Sequence, residues 1–232
     1  MRRLKSDIPA GATERLLRKA KRRGIITELR MMECVLNGKV VGRRGYTPEG
    51  KLVIETPLEN GRAHGSAIQW NEDGKLELVE PYSEGKVHGT ARQYSRGGRV
   101  VGTYKLVHGT GLDVWRVEFG GRVYVSEIHS LRDGLPDGPE LWFNFGARVP
   151  TLWHERFWRR GELHGIERMW NSRGNLGRGF PKFWILGQKV SRRRYAQLAK
   201  TDKSLRPVRE KDNLAGRQFS SEIQQIVTRR QE

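Results

Sequence analysis

The chain has 232 residues, of which 36% are hydrophobic and 30% charged, and its formal net charge is +18. No stretch approaches the roughly 20 consecutive apolar residues of a membrane-spanning helix, and no apolar run follows the basic N-terminus, so neither a transmembrane protein nor a secretory signal is expected. The single cysteine, Cys34, excludes an internal disulfide and a cysteine-based zinc site. We therefore expect a cytoplasmic protein with enough chain for one ordinary domain.

The positive charge is concentrated at the two ends of the chain. Residues 1–30 hold ten Lys and Arg against three Asp and Glu, and residues 176–232 hold fourteen against five. Residues 31–175 hold twenty against eighteen and are nearly neutral. This distribution is typical of basic arms attached to a folded body, and it makes an anionic partner for the arms a reasonable hypothesis.

The first arm, residues 1–30, is predicted to be a basic cap. Residues 12–23 have the composition of a short helix, with Leu16, Leu17 and Ala20 on its apolar side and Gly24 as its C-cap. Such a cap would cover the open edge of a following sheet. Clustered cations in this arm are candidates for phosphate binding: Arg18, Lys19, Lys21, Arg22 and Arg23.

The body, residues 31–190, contains an internal repeat. Two interleaved series of glycines each recur at about 24 residues, so a turn arrives about every 12 residues. Turns at this spacing predict short antiparallel strands joined as hairpins. The clearest turns read Asn60-Gly61-Arg62-Ala63-His64-Gly65, Glu84-Gly85-Lys86-Val87-His88-Gly89 and Arg160-Gly161-Glu162-Leu163-His164-Gly165. Two glycines four positions apart supply the positive φ angles that a tight hairpin and its bulge require.

Aromatic residues recur in phase with these turns. Trp70, Tyr94 and Trp170 each follow the second glycine by five residues, and Trp115 and Trp142 continue the series at slightly different spacings. Two interpretations are open. The rings form a ladder that stiffens the sheet from within, or they anchor a macromolecular partner.

The repeated Asn/Glu-Gly-Lys/Arg-x-His-Gly turns, the aromatic residue that follows them and the Asp73-Gly74-Lys75-Leu76 type of second turn resemble the bacterial variant of the MORN repeat over residues 36–190. The resemblance implies a mainly β fold, an elongated single-layer antiparallel sheet of successive hairpins. It also implies a protein-binding role of the antitoxin or immunity type, in which a toxic protein is neutralised.

The second arm, residues 191–232, is predicted to be a basic helical tail. Ser191 is placed to cap a helix that runs to Lys200 and buries Tyr195. Ser221 with Gln224 predicts the start of a final helix. The cations at the start of this arm are the second set of candidates for phosphate binding: Lys189, Arg192, Arg193 and Arg194.

Residues with catalytic or metal-binding potential form no familiar motif. The histidines that precede repeat glycines, His64, His88, His108 and His164, would lie about 10 Å from one another, too far apart to share one zinc ion. A structural role at the turns, no metal and no cofactor are therefore expected. The sequence has neither a phosphate-binding loop nor a nucleophile elbow, so it does not suggest an enzyme.

These features predict a non-catalytic repeat scaffold that binds a macromolecular partner, most simply a protein. The alternative is an accessory subunit of a nucleic-acid-binding complex that contacts the phosphate backbone through its basic ends. A membrane surface is less favoured, because the basic segments lack a strong apolar face.

Overall fold

The computed structural model describes residues 4–21, 28–145, 151–216 and 219–228, with side chains described for 4–17 and from 29 onward in the first two ranges. The chain divides into two compact units, Met1–Gly109 and Thr110–Glu232. Each unit is built on one antiparallel sheet of successive hairpins. The mainly β fold predicted from the glycine spacing is confirmed.

The first unit contains a ten-stranded sheet within the described residues, whose main path runs β1-β2-β3-β4-β6-β7-β9-β10, with β5 and β8 paired to β4 and β7. Its strands are β1 Thr13–Lys21, β2 Glu28–Leu36, β3 Lys39–Tyr46, β4 Leu52–Glu59, β5 Arg62–Ala63, β6 Gly65–Trp70, β7 Leu76–Ser83, β8 Lys86–Val87, β9 Gly89–Tyr94 and β10 Val100–Leu106.

The second unit contains an eight-stranded sheet within the described residues, ordered β11-β12-β13-β14-β16-β17-β18 with β15 paired to β14. Its elements are β11 Gly111–Phe119, β12 Arg122–Arg132, β13 Leu135–Asn144, β14 Thr151–Arg159, β15 Glu162–Leu163, β16 Gly165–Met169, β17 Lys182–Ile185, β18 Gln188–Val190, α1 Arg192–Leu198, a 3₁₀ turn Glu210–Asn213 and α2 Ser221–Thr228. Within the described residues, the last strand, β18, ends at Val190.

The first glycine of each repeat forms a tight turn, and successive turns are hydrogen-bonded to each other. Asn60 and Gly61 both have positive φ angles, +50° and +77°, as a type I′ hairpin requires. The N–H of Gly85 donates to the carbonyl of Ala63 at 2.8 Å. In the second unit, the N–H of Gly187 donates to the carbonyl of Leu163 at 2.8 Å. The repeat period therefore stacks the turns as well as the strands.

The second glycine of each repeat is required by close packing across the strands. Gly165 has a φ of +147°, and a Cβ added there would lie 2.6 Å from the Cβ of Phe157. Gly89 has a φ of +122°, and its Cβ would lie 3.0 Å from Cγ of Pro81. Any larger residue is therefore disfavoured there by both backbone conformation and contact.

The helix predicted over residues 12–23 is wrong, because Thr13–Lys21 forms β1, which pairs with β2. Alternation in the strand sends neighbouring side chains to opposite sides, and both find partners. Glu14 bonds to Arg44 at 3.0 Å and accepts from the Tyr46 hydroxyl at 2.7 Å, while Arg15 bonds to Glu33 at 2.8 Å. Pairing with the open edge of β2 outweighs the local helical propensity. The predicted C-cap, Gly24, lies outside the described residues.

The segment before β1 packs on one side of the first sheet. Ile8 is buried and fills the space left by Gly42, where a Cβ would lie 2.3 Å from its Cδ1. The Ser6 hydroxyl donates to Glu55, a buried carboxylate that also bonds to Arg44 at 2.9 Å. The terminal segment thus supplies a partner to a carboxylate buried in the sheet.

The helices of the second arm are confirmed. Ser191 caps α1 by accepting the N–H of Arg194 at 3.2 Å, and Tyr195 is fully buried and donates its hydroxyl to the carbonyl of Arg206. The final helix, α2, begins at Ser221. In the described part of the chain, no helix has the length and apolar character that crossing a membrane would require.

We predict that Gly165→Ala lowers the free energy of unfolding by about 3 kcal/mol, because it adds a clash with Phe157 to the cost of a positive φ angle. Gly187→Ala is the matched control: its φ is +76°, and no atom lies within 4 Å of its added Cβ. The control should lose about 1 kcal/mol. Urea unfolding of both variants measures the difference, and equal losses would contradict the role given to Phe157.

Candidate functional site

One face of the second sheet is covered by the C-terminal segment of the chain. Cross-strand pairing places Ile128, Leu141, Glu155 and Arg168 on this covered face. Glu155 is 0% and Arg168 3% exposed, and their side chains are 2.5 Å apart. The Nε of Arg168 also donates to Oδ1 of Asn213 at 2.9 Å. A residue from the C-terminal segment therefore completes the hydrogen bonding of a buried ion pair.

Apolar contacts hold the same segment in place. Leu205 and Tyr195 pack with Ile166 and Phe183 in a buried cluster. Further along, the N–H of Leu152 donates to the carbonyl of Ala215 at 3.0 Å, and the rings of Phe143 and Phe219 are 5.6 Å apart. This face carries the core of the unit, and the C-terminal segment covers it.

The opposite face carries aromatic, acidic and basic side chains, and we call it the aromatic face. Strand alternation and register bring the following residues to it: Trp115, Glu127, His129, Glu140, Trp142, His154, Arg156, Trp158, Glu167, Lys182 and Trp184. A bulge in β14 adds Trp153, whose ring lies 6.1 Å from that of Trp142 and is 38% exposed. Five indoles thus lie on this face, on strands β11, β13, β14 and β17.

Trp142 is the centre of the ring contacts. The His154 imidazole stacks on it at 4.8 Å with an interplanar angle of 19°, and the guanidinium of Arg156 lies 4.7 Å from its centroid. The His129 ring lies 5.8 Å away on the neighbouring strand. Arg156 is also 5.2 Å from the ring of Trp158. Aromatic and cation–π contacts of this kind fix the rings without closing the face to solvent.

Two carboxylates orient the rest of the face. Glu140 accepts from the indole N–H of Trp158 and from Nε of Arg156 at 3.1 Å. Glu167 accepts from the Trp184 indole N–H at 2.9 Å, with Nε2 of His154 at 3.1 Å. Each carboxylate therefore links an indole to a second side chain. The aromatic face is therefore an ordered surface whose rings, carboxylates and cations are held by contacts with one another.

The pKa values of the two histidines on this face are shifted in opposite directions. Burial, the largest effect, lowers the pKa of His154, and Arg156 lowers it further against the opposing effect of Glu167. Burial also lowers the pKa of His129, but its hydrogen bond to Glu127 and the nearby carboxylates outweigh burial and raise that pKa overall. At neutral pH, His154 is therefore held in its neutral, stacking form.

The structure divides the aromatic residues predicted to bind a partner between two sides and two units. Trp115 and Trp142 lie on the aromatic face, whereas Trp170 is 4% exposed on the covered face and donates its indole N–H to the carbonyl of Asn213. Trp70 and Tyr94 are half-buried in the first unit. The single series expected from spacing is therefore not one surface.

The sequence interpretation missed several residues that the structure brings to this face: Trp153, His154, Arg156, Trp158, Glu140, Glu167 and Trp184. A signal for three of them was present. His154, Arg156 and Trp158 alternate along β14 and must share one side of the strand.

The cations predicted to bind phosphate are only partly within the described side chains. Lys189, Arg193 and Arg194 are exposed, as is Arg192, which pairs with Glu210. Arg18, Lys19 and Lys21 belong to β1, but their side chains lie outside the described residues, as do Arg22 and Arg23 altogether. Of the two predicted phosphate-binding clusters, the one at Lys189 and Arg192–Arg194 has described side chains, and these are exposed.

The repeat histidines join adjacent turns. Nδ1 of His88 accepts the N–H of His108 at 3.1 Å, and Nδ1 of His164 accepts the N–H of Leu186 at 3.2 Å. These bonds give the histidines the structural role expected of them. His64 differs, because its Nδ1 lies 3.3 Å from Glu59. Together with Glu84, which pairs with Arg62, these side chains bring potential metal-ligand atoms within 4.8 Å of one another. All are partly or fully exposed, and exposed acidic groups are common without a metal ion.

Comparison with protein-family models, with curated proteins and with solved structures finds no match to this chain. The resemblance to the MORN repeat therefore stays a prediction.

We predict that acid lowers stability partly through His164. Burial, and then Arg159, lowers the pKa of His164, so the folded state binds its proton less readily than the unfolded state. Its contribution is complete above the unfolded pKa of about 6.5 and is lost as pH falls through the folded value. His164→Asn keeps an acceptor for Leu186 but does not titrate. Urea unfolding from pH 7 to pH 5 should therefore show a shallower loss of stability.

His129→Gln is the control of opposite sign. The folded pKa of His129 is raised, so it stabilises in acid, and that contribution is lost as pH rises through the folded pKa. Replacement of His129 should therefore make the free energy of unfolding fall more steeply toward acid pH than in the wild type. An equal pH dependence of the free energy of unfolding in His164→Asn and His129→Gln would contradict the opposite pKa shifts of the two histidines.

Proposed function

We propose that the protein is a non-catalytic scaffold that binds another protein, and that the aromatic face of the second unit is its binding surface. The observation that supports this most is the asymmetry of the second sheet. One face is closed by the chain itself, and the other presents ordered indoles and an arginine at the surface, with Trp153 38% exposed.

The residue types suit protein recognition. Trp, Tyr and Arg supply a large share of binding energy at protein interfaces. Trp and Tyr do so because they bury a large area with few rotatable bonds. Trp142 is already fixed by His154 and Arg156, so little side-chain freedom remains to be lost on binding. The bacterial MORN-type resemblance makes neutralisation of a toxic protein the form of binding that we favour.

We predict that Trp153→Ala weakens partner binding about thirtyfold, the loss typical of a central interface residue. The full-length tagged protein serves to isolate the partner from cells that contain it, and calorimetry with the purified partner gives the affinity. Phe119→Ala is the matched control, because Phe119 is an exposed aromatic in the same unit that lies at the β11–β12 turn. Unchanged affinity for Trp153→Ala would contradict the proposal.

The second candidate function, nucleic-acid binding, is favoured by the exposed cations after β17. Among the described residues, Lys189, Arg193 and Arg194 have no ion-pair partner, so their charge is available to phosphate. Binding of the full chain to DNA and RNA fragments at 50 and 200 mM salt separates the two functions. A steep fall of log affinity with log salt concentration would favour the nucleic-acid function. In that case Arg193→Gln/Arg194→Gln should reduce the slope by about 0.9 for each phosphate contact removed. The control variant Arg160→Gln/Arg173→Gln should leave the slope unchanged.

A further inference from the structure

The charges of the aromatic face oppose those of the chain as a whole. The chain has 44 Lys and Arg against 26 Asp and Glu. Register places four carboxylates on the aromatic face, from Asp113, Glu127, Glu140 and Glu167. The cations in register with them are Arg156, Lys182 and, on the edge strand opposite Trp184, Lys189. Acidic groups therefore outnumber basic ones on this surface of a strongly basic protein.

The Lys and Arg side chains of this face do not form ion pairs with all of its carboxylates. Arg156 bonds to Glu140 at 3.1 Å, and Lys182 lies 3.8 Å from Glu167. Glu127 instead bonds to His129, and its side chain is 38% exposed. Glu127 pairs across the strands with both Trp115 and Trp142. An exposed carboxylate thus stands between two indoles at the centre of the face.

Indole faces attract cations, and this surface already shows the geometry. Arg156 lies over Trp142 at 4.7 Å, and Lys182 lies over the ring of Phe180 at 4.1 Å. A guanidinium is the better ligand for such a site, because its plane stacks on a ring while its N–H groups reach a carboxylate. The exposed ring of Trp153 on β14 and the carboxylate of Glu127 on β12 each offer one of these contacts to further cations.

We propose that the partner segment that binds the aromatic face is cationic and rich in arginine. This inference rests on the proposed function, in which the aromatic face is the protein-binding surface. Screening confines charge effects to about 8 Å at physiological ionic strength, so the local carboxylates outweigh the distant positive charge of the chain. A phosphate backbone is disfavoured on the same face, because it would meet the carboxylates.

The test uses three peptides of equal length on the full-length protein at physiological salt. One contains arginine at every third position between serine and glycine, and the other two contain glutamine or glutamate in place of arginine. Indole N–H resonances report the binding site for each of the seven tryptophans. We expect the arginine peptide to shift Trp142 and Trp153, and to leave the buried Trp170 unchanged.

Glu127→Gln should weaken the arginine peptide about threefold to fivefold, the loss expected for one exposed charge pair. Glu162→Gln is the matched control, since Glu162 is an exposed carboxylate at the β14–β15 turn of the same unit. The control should change the affinity less than twofold.

Two results would overturn the inference and leave the proposed function standing. In the first, the glutamine or glutamate peptide binds the same indoles as tightly as the arginine peptide. In the second, a purified partner binds in a Trp153-dependent way, but the arginine peptide neither competes with it nor shifts the indoles. A single-stranded oligonucleotide that shifts Trp142 and Trp153 at physiological salt would overturn both. A purified partner whose affinity is unchanged by Trp153→Ala would contradict the proposed function itself.

Discussion

The buried ion pair between Glu155 and Arg168 determines which face of the second unit is available. Removal of one member of such a pair leaves an uncompensated charge and costs about 3–5 kcal/mol. Asn213, from the C-terminal segment, accepts a further hydrogen bond from Arg168 of this pair. The segment is therefore tied to one face by a polar requirement in addition to its apolar contacts, and the indoles remain on the other. The first unit repeats this principle, with Glu55 bonded to Ser6 of the N-terminal segment.

The glycine spacing was sufficient to predict the fold, because each glycine meets a local requirement that is visible in the sequence. Gly61 needs a positive φ angle, and Gly165 needs that and close contact with Phe157. The faces were also encoded. Trp142 follows Gly138 by four residues and Trp170 follows Gly165 by five, and a difference of one residue moves a side chain to the opposite face of a strand. This difference in spacing therefore places Trp142 and Trp170 on opposite faces of the second sheet.

Other features depend on contacts between distant residues, and the sequence does not encode them locally. Residues 12–23 have a helical composition, yet β1 forms because β2 offers an unpaired edge. The aromatic face exists only because β13, β14 and β16 place Glu140, His154 and Glu167 next to one another. No spacing rule in the sequence connects Arg168 with Asn213, so the covering of one face was not predictable. The resulting asymmetry is what supports a binding function.

The most direct test of this account is hydroxyl-radical footprinting of the full-length protein, with oxidation of each tryptophan quantified by mass spectrometry. It measures which face of the second sheet is open. We expect rapid oxidation of Trp153 and slower oxidation of Trp142. Trp170, which is 4% exposed beneath the C-terminal segment, should be protected. Oxidation of Trp170 as fast as that of Trp153 would contradict the covered face and, with it, the choice of the aromatic face as the binding surface.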